Sequence, residues 1–488
     1  MTHTISKNIF RTVDWITVGF YLLFVVWGWT SVFSATYDAE DPNVFGLDGN
    51  SGKQLLWIGI SAFLAFVLLL IEKRVYEMYA IFIYFAFVGL LIITLIIAPE
   101  TKGSRSWIPI GFMKLQPAEF AKFGVALMLG HMIDKLGFSL SSKKDALKAA
   151  LVIFLPMAII IMQKETGSAL VYLAFFLMLY REGMTGTVLF YFFAAIAYFV
   201  IGIRYGDELI SNNIQVSVGE FIVLLLGQIF TTGLTWFVCH NKNIAKLMAG
   251  IGLGTTLILC LFSIFVIPFD FTWIIIIINL IQIGYLIYLG INTRFTKYYI
   301  VAVFAFFSVI SFYISGYMLN RLSDHQRVRI EVLLGKRSDK SGAEYNVNQA
   351  KIAIGSGGTV GKGFLNGTQT KLHYVPEQET DFIFCTIGEE GGFLLSSLLL
   401  IAYLLFIWRL IYLAERQTDT PGRVFGYSVA SIFIFHLFIN IGMVIGLTPV
   451  IGIPLPFFSY GGSSLFGFTI LLFVFLRMDA ETRLQYKV

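Results

Sequence analysis

The sequence predicts an all-α polytopic membrane protein with a large extracytoplasmic loop. Apolar residues make up 57% of the chain and charged residues only 13%, whereas soluble domains carry roughly 25% charged residues. The apolar residues fall into fourteen runs that are candidate membrane spans, and one long polar segment, 319–390, interrupts them. A membrane helix needs about 20 apolar residues, so this pattern indicates a helical bundle around one exposed loop.

The candidate spans follow one another with short connections. The first run, 15–34, is uncharged, lacks a small-residue cleavage site and is longer than the apolar part of a signal peptide, so we expect a retained helix. Two runs, 149–162 and 167–180, are short for spanning. The remaining candidates are 54–71, 78–98, 118–133, 187–203, 218–238, 247–267, 271–291, 298–318, 391–408, 424–447 and 462–476.

Lysine and arginine residues predict the orientation of the helices. With the N-terminus in the cytoplasm, the inner loops and both tails carry 19 of these residues, and the short outer loops carry 6. Cytoplasmic loops are enriched in Lys and Arg, and long loops are left out of the comparison. We therefore expect both termini in the cytoplasm and the long loop outside. The predicted segments are N-terminal spans (1–186), further spans (187–318), the outer loop (319–390) and C-terminal spans (391–488).

Nucleic acid, zinc and nucleotide sites have little support in the sequence. The three cysteines lack CxxC spacing, so neither a disulfide framework nor a zinc site is predicted. The net charge of +5 is spread along the chain, which gives no basis for nucleic-acid binding. One glycine cluster fits neither nucleotide-binding pattern, and we interpret it as tight turns and close backbone approach. Its members are Gly355, Gly357, Gly358, Gly361 and Gly363.

Ionisable residues near the candidate spans are functional candidates. Glu119 and Lys122 are three residues apart at the head of a span, so they share a helix face and can pair. Charges at membrane depth generally mark function, although a pair that only fixes the position of its helix is the alternative. Upstream, Arg105 could bind a phosphate or simply anchor at the interface. Glu165, in the QKETGS turn, is either a functional acid or a helix cap.

Asp339 lies in the long outer loop among basic residues, which include Arg327, Arg329, Lys336 and Lys340. Positive neighbours favour the ionised carboxylate and could hold an anionic substrate nearby. Because Ser-Asp-Lys-Ser-Gly is also typical of turns, a solvated turn is the alternative. Loops of this length are usually functional or disordered, and the recurring Ile, Val, Phe and Tyr residues favour a folded active-site loop.

The segment before the last span, Thr448 to Leu465, contains three prolines followed by Gly-Gly-Ser-Ser. These residues break a helix, and broken backbone at membrane depth is tolerated only where it is buried or lines a cavity. We therefore expect this segment to form a cavity wall.

Together these segments closely resemble the SEDS family of bacterial cell-wall polymerases. The resemblance covers roughly 1–185 and 319–488, and the last motif is more similar to the elongation type than to the division type. The family has about ten spans, which implies that four of the five runs in 187–318 are an inserted pair of hairpins. The motifs, in the family's order, are GSRSWIPIG, QPAEFAK, QKETGSALV, QRVR, SDKSGAEYNVNQ, IAIGSGGTVGKGFLNGTQ, VPEQETDFIF, GEEGG and NIGMVIGLTPVIGIPLPFFSYGGSSL.

The resemblance implies a glycosyltransferase that polymerises lipid II into glycan strands at the outer face of the bacterial cytoplasmic (inner) membrane. It implies that Asp339 corresponds to the family's catalytic aspartate. The family's membrane-cavity glutamate and lysine correspond to Glu119 and Lys122, and the aspartate of its QPDLG motif corresponds to Glu165. The first aspartate of the family's loop pair is Gly335 here, which concentrates the assignment on Asp339. We assign substrate-binding or supporting roles to Arg105, Glu119, Lys122, Glu165, Arg327, Arg329, Glu377, Asp381 and Ser459.

The resemblance also implies partners. They are lipid II, the growing glycan strand, a class B penicillin-binding protein that crosslinks the strands, and membrane proteins of the elongation complex. Positive side chains are expected to stabilise the leaving pyrophosphate, with a divalent cation as the alternative; no residue is assigned as a metal ligand. The competing functions are a lipid II flippase and a non-catalytic scaffold for the crosslinking enzyme. A long ordered loop that carries a carboxylate among cations favours the enzyme over the flippase.

Overall fold

A computed structural model describes residues 9–37, 46, 49–101, 103–111, 113–211, 213–339 and 342–486. The protein is mainly helical, as the sequence predicts, and its chain separates into two compact units. The first unit comprises Met1–Thr185 and Ser341–Val488, and the second comprises Gly186–Lys340. The predicted outer loop, 319–390, is therefore divided between the two units.

The N-terminal part of the first unit consists of helices and one short β-hairpin. Pro117 opens the fifth helix, at a position where its missing N–H is not needed for helical hydrogen bonding. Along the chain the elements are α1 (Ile9–Thr12), α2 (Trp15–Ala35), α3 (Asn50–Leu70), α4 (Lys73–Ile97), β1 (Ile108–Ile110), β2 (Met113–Leu115), α5 (Pro117–Ile133), α6 (Lys143–Met162), α7 (Thr166–Val171) and α8 (Phe175–Arg181).

The second unit is built from apolar helices joined by short connections. Tyr198, Phe271 and Phe304 lie at its core and are fully buried. Its elements are α9 (Gly186–Arg204), β3 (Leu209–Ser211), β4 (Ile214–Ser217), α10 (Val218–Phe237), α11 (Lys242–Met248), α12 (Thr255–Phe265), α13 (Thr272–Thr293), α14 (Lys297–Arg321) and α15 (Asp324–Leu333). A π-helical turn, Ala249–Gly254, joins α11 to α12.

The C-terminal part of the first unit completes the fold. Asp419 caps α19 by accepting a hydrogen bond from the Gly422 N–H at 2.8 Å, and Gly446 ends this helix in the left-handed conformation. The elements are α16 (Ala343–Ser356), α17 (Thr368–Lys371), α18 (Ile383–Glu415), α19 (Thr420–Ile445) and α20 (Gly462–Tyr486).

In the part of the chain that the structure describes, twelve helices are long and apolar enough to cross a membrane. All fourteen predicted runs are largely helical, but two are shorter than a span. Residues 118–133 lie in the 17-residue α5, and residues 167–180 are divided among α7, a 3₁₀ turn and α8. The two antiparallel hairpins, which pair β1 with β2 and β3 with β4, were not predicted.

Helix α18 begins earlier than the predicted run 391–408 and is broken at Gly392, whose φ of 63° and ψ of −163° are not helical. Residues 357–363 replace the helical hydrogen bonds at the break. The carbonyls of Glu389 and Glu390 accept from the N–H groups of Lys362 at 3.0 Å and Gly363 at 2.9 Å. Beyond the break, two N–H groups of α18 donate to carbonyls of the same segment at 2.9 and 3.1 Å. The helix and residues 357–363 therefore satisfy each other's backbone hydrogen-bonding groups.

This arrangement explains most of the glycine cluster. A Cβ atom at Gly357 or Gly361 would collide with backbone carbonyls of α18, so a side chain cannot be accommodated there. Gly358 and Gly363 have φ angles of 58° and 94°, which favour glycine. The predicted turns and close approaches are confirmed at these four positions. Gly355 has open space around it and meets neither condition.

A buried carboxylate fixes the start of α2. Asp14 accepts hydrogen bonds from the backbone N–H of Thr17 at 3.2 Å and from its hydroxyl at 2.7 Å. It also accepts from Arg409 at 2.5 and 3.1 Å and from Arg483 at 2.8 Å. Burial alone would raise the pKa of Asp14, but these hydrogen bonds outweigh it and hold the pKa well below its ordinary value. The carboxylate thereby ties α2 to α18 and α20.

We predict that Asp14→Asn lowers the free energy of unfolding in detergent by about 2 kcal/mol, because two partly exposed arginines lose their shared carboxylate. A carboxyl whose pKa is depressed on folding stabilises the protein above its unfolded pKa of about 4, and this contribution is lost as the pH falls towards the folded pKa. The melting temperatures of the wild type and the variant should therefore differ by a constant amount near neutral pH and converge on acidification.

The matched control is Lys148→Ala, which removes an exposed ion pair with Asp145 and should change the melting temperature little. A difference between wild type and Asp14→Asn that persists undiminished in acid would contradict the assignment.

Candidate functional site

Helix α5 brings Glu119 and Lys122 together, as their spacing predicts. The ammonium Nζ of Lys122 lies 2.8 Å from Oε2 of Glu119, and the two side chains are 1% and 3% exposed respectively. The pair is thus enclosed by protein, not held at the edge of the bundle. An enclosed ion pair needs further hydrogen bonds to offset the loss of hydration, and the structure supplies one.

That further partner is His436 on α19, which sequence analysis missed. Its Nε2 lies 3.1 Å from Nζ of Lys122, and its Nδ1 lies 3.1 Å from the carbonyl oxygen of Pro454. An ammonium group only donates and a carbonyl only accepts, so Nε2 accepts from Lys122 and Nδ1–H donates to Pro454. The Phe468 ring covers both groups, with its centroid 5.2 Å from Nζ. A lone histidine inside the apolar run FIFHLFIN was the available signal.

Residues 446–461, here called the broken segment, leave the helical conformation between α19 and α20, as predicted. Side chains from neighbouring helices donate hydrogen bonds to carbonyl oxygens of this segment. Nδ2 of Asn440 donates to the carbonyls of Ile453 at 2.7 Å and Asp381 at 2.9 Å, and the hydroxyl of Tyr403 donates to Pro456 at 2.6 Å. Ile453 and the residues from Leu455 to Ser459 in this segment are buried, which is the condition under which broken backbone is tolerated.

Ser459, a predicted site residue, lies inside the broken segment and is buried. Its hydroxyl accepts a hydrogen bond from the Leu455 N–H at 2.9 Å, and its own N–H donates to the Leu455 carbonyl at 3.1 Å. Ser459 therefore closes a local turn, and any part it has in substrate binding stays a prediction.

Glu165 and Arg105 belong to two segments that contact each other. Glu165 occupies the residue before α7, but its side chain makes no capping hydrogen bond; Oε2 instead accepts from the Ser106 hydroxyl at 2.8 Å. The N–H of Arg105 donates to the Gln163 carbonyl at 2.9 Å. The guanidinium group of Arg105 is half exposed and lies 3.7 Å from Glu100. Arg105 is thus accessible to an anionic ligand, whereas Glu165 joins two turns.

Glu389 and Glu390 anchor the outer loop to α18, a role that sequence analysis did not assign. The Glu389 side chain is fully buried and accepts from Nζ of Lys362 at 2.7 Å and from the N–H of Thr370 at 2.8 Å. Glu390 accepts from the Leu365 N–H at 3.1 Å and from the Ser34 hydroxyl on α2. A buried carboxylate needs such donors, so residues 356–370 are held against α18 and α2.

Two other predicted residues, Glu377 and Asp381, lie in the turn that precedes α18. Glu377 is exposed and adopts a left-handed φ of 53°, and its carbonyl accepts from the N–H of Asp381 at 3.1 Å. Asp381 is partly buried, and its backbone carbonyl is the one that Asn440 binds. This turn is therefore connected to the broken segment through the Asn440 side chain, and the Tyr460 N–H of that segment also donates to the Glu379 carbonyl at 2.9 Å.

Asp339 lies in the second unit, after α15, and is partly exposed. Two of its predicted cationic neighbours have acidic partners: Arg327 pairs with Glu331 at 2.7 Å, and Lys336 pairs with Asp207 at 2.5 Å. Arg329 is exposed. Lys340, the residue after Asp339, lies outside the described residues.

The predicted site residues are thus distributed over both units. Asp339, Arg327 and Arg329 belong to the second unit, and the others belong to the first. Among the described residues, no group of three or more His, Cys, Asp or Glu side chains is placed to hold a metal ion. Participation of a divalent cation stays a prediction.

The enclosed pair gives a prediction for stability. Lys122→Met should lower the free energy of unfolding by about 3 to 5 kcal/mol, because it leaves the Glu119 carboxylate buried without its counter-ion. The double variant Glu119→Gln with Lys122→Met should lose less than the sum of the single losses. Chemical unfolding in detergent measures all three. Additive losses would mean that the two side chains do not form the pair.

The chain is similar to known proteins over most of its length. The model of the FtsW, RodA and SpoVE family of cell cycle proteins matches residues 11–217 and 213–484. The peptidoglycan glycosyltransferase MrdB of Escherichia coli (strain K12) is 28% identical over 417 residues, which cover 86% of this chain and 82% of MrdB. The peptidoglycan glycosyltransferase RodA of Treponema pallidum (strain Nichols) is 30% identical over 434 residues, which cover 88% of this chain and 89% of that protein.

Solved structures share the fold. A chain of a peptidoglycan synthase complex that coordinates polymerization and crosslinking superposes with a TM-score of 0.60 at 20% identity, and the match covers 96% of this chain and 98% of that one. The rod shape determining protein RodA of Thermus thermophilus superposes with a TM-score of 0.53 at 19% identity, covering 96% of both chains. Because the family model spans nearly the whole sequence and the motifs lie in the family's order, the chain is a member of the SEDS family of FtsW, RodA and SpoVE proteins.

Proposed function

We propose that this protein is a peptidoglycan glycosyltransferase that polymerises lipid II into glycan strands for cell elongation and shape. The observation that carries the proposal is the similarity, over more than four fifths of both chains, to two proteins named peptidoglycan glycosyltransferase. The twelve apolar helices among the described residues support a multi-pass protein of the bacterial inner membrane. Such a bundle can hold a lipid-linked sugar whose tail stays in the bilayer, which a soluble enzyme cannot do.

The chemistry is a single displacement. Lipid II carries its sugar α-linked to a pyrophosphate, and the glycan bond is β-1,4, so one attack with inversion suffices and no covalent enzyme intermediate forms. We assign Asp339 as the general base. Its carboxylate takes the proton of the acceptor 4-hydroxyl while that oxygen attacks the donor's anomeric carbon, and the bond from this carbon to the pyrophosphate oxygen breaks. The partly exposed position of Asp339 allows a substrate hydroxyl to reach it.

The departing polyprenyl pyrophosphate needs positive groups around its developing charge. Four side chains are our candidates: Arg105, Lys122, Arg327 and Arg329. Arg105 and Arg329 have exposed side chains, which favours direct contact with phosphate. Lys122 is enclosed by Glu119 and His436, so its contribution is better explained as support for the cavity wall. A divalent cation would be the alternative source of positive charge for the pyrophosphate, and no residue is assigned to hold it.

The orientation and the partner follow from the same proposal. The excess of Lys and Arg in the predicted inner loops supports cytoplasmic termini and an outer face that carries Asp339. A strand polymerase needs an enzyme that crosslinks its product, and a class B penicillin-binding protein fits that need. The likeness to a chain of a peptidoglycan synthase complex is consistent with such an assembly.

A lipid II flippase and a scaffold are the competing functions. A flippase would move lipid II between leaflets without making strands, and a scaffold would leave strand synthesis to other proteins. The deciding assay incubates purified protein with lipid II and separates the products by length. Strands made by the protein alone or with its crosslinking partner support the polymerase, and transport without strands supports the flippase.

We predict that Asp339→Asn lowers the rate of strand formation by about 10²- to 10⁴-fold, the contribution typical of a general base. The amide keeps the shape of the carboxylate and cannot take the proton. The rate of lipid II consumption, measured with and without a chelator, gives the effect and also tests the divalent cation.

Asp324→Asn is the matched control, because it makes the same chemical change at an exposed residue of the same unit. It should leave the rate within about twofold of the wild type, as is usual for surface substitutions. Strand formation at the wild-type rate in a folded Asp339→Asn protein would disprove the mechanism while leaving the family assignment intact.

A further inference from the structure

We infer that His436 is a positioning residue for strand polymerisation: its Nε2 fixes the Lys122 ammonium beside Glu119, and its bond to the broken segment orients the imidazole ring. The inference rests on the proposed function, since polymerisation is the activity that it modulates. Its basis is geometric: one imidazole ring bonds the enclosed ammonium through one nitrogen and the backbone of the broken segment through the other.

The first bond fixes Lys122. The Lys122 ammonium is almost fully enclosed and has three N–H donors, of which one reaches Glu119 at 2.8 Å and another reaches Nε2 of His436 at 3.1 Å. The face of the Phe468 ring lies alongside. Without the imidazole acceptor, a buried N–H of a cation would lack a protein partner, which is costly in an apolar surrounding.

The second bond fixes the broken segment. The Nδ1–H of His436 donates to the carbonyl of Pro454, next to Ile453, whose carbonyl is bound by Asn440. His436 and Asn440 are four residues apart on α19, so they face the segment from the same side of the helix. The Asn440 side chain also binds the carbonyl of Asp381. A continuous series of contacts thus links the turn before α18, the broken segment and the Lys122–Glu119 pair.

The two bonds can be separated by substitution. The Nδ1 atom of histidine is attached to Cγ, as is the amide nitrogen of asparagine, whereas Nε2 lies one bond further out, at the reach of a glutamine amide. His436→Asn therefore keeps a donor for Pro454 and loses the acceptor for Lys122. His436→Gln keeps an acceptor within reach of Lys122 and loses the donor near Pro454.

The experiment measures kcat and KM for lipid II in both variants. Because the Lys122 contact is the one that supports turnover, His436→Asn should lower kcat about tenfold or more, the size expected for a lost hydrogen bond to a buried charge. The KM should stay within about twofold, since the residue does not touch the substrate. His436→Gln should retain kcat within about threefold of the wild type.

Tyr403→Phe is the matched control. It removes a different hydrogen bond to the broken segment, from the Tyr403 hydroxyl to the Pro456 carbonyl, and leaves the contacts of Lys122 in place. Its kcat should equal that of the wild type. If His436→Asn retains wild-type kcat, or if all three variants slow in proportion to their melting temperatures, His436 only supports the fold and the inference is wrong.

A second measurement does not depend on activity. The melting temperatures of His436→Asn, Lys122→Met and their double variant form a thermodynamic cycle, in which the double loss should be smaller than the sum. The cycle of His436→Asn with Tyr403→Phe should be closer to additive. If the two substitutions are coupled but the protein makes no strands, the proposed function is wrong and the contact between His436 and Lys122 is supported. If their effects on the melting temperature are additive, His436 does not hold Lys122 and the inference is wrong, whatever the activity.

Discussion

Backbone that leaves the helical conformation among apolar helices must replace the hydrogen bonds of the helix, and the first unit meets this requirement twice. At Gly392 the new partners are backbone groups of residues 357–363. In the broken segment they include the side chains of Tyr403, His436 and Asn440. Each of these places is where the chain departs from a plain helical bundle. The polar side chains buried nearby are therefore explained first by the need to hydrogen-bond this backbone, before any role in catalysis is considered.

Buried carboxylates in this unit likewise require hydrogen-bond partners. Asp14, Glu119 and Glu389 are all buried carboxylates, and each accepts hydrogen bonds from a cationic side chain. Asp14 and Glu389 also accept from backbone N–H groups, which identifies them as structural anchors. Glu119 differs because its partner Lys122 is itself enclosed and continues to His436. A pair of this kind connects helices and is hydrogen-bonded through His436 to the broken segment, which makes it the better candidate for supporting catalysis.

Sequence analysis succeeded where the relevant contact is local. The spacing of Glu119 and Lys122 puts them one helical turn apart, so their pairing can be predicted without a fold. Apolar runs likewise predict helices, although the length of α5 and the division of 167–180 depend on tertiary contacts. The contact of Lys122 with His436 joins residues 314 apart in the chain and could not be derived from spacing. The same holds for Glu389, whose donors lie in a loop that the sequence marks only as polar.

The backbone hydrogen bonds between residues 357–363 and the break at Gly392 have a consequence for biogenesis. Residues 357–363 are synthesised before α18, yet both sides of the break depend on them for hydrogen bonds. The leading turns of α18 complete their hydrogen bonds only when residues 357–363 lie beside them, so packing of this glycine-rich segment and completion of the helix form one cooperative step. Cutting the polypeptide between residues 363 and 383 would then weaken the leading turns of α18, whose own sequence is untouched.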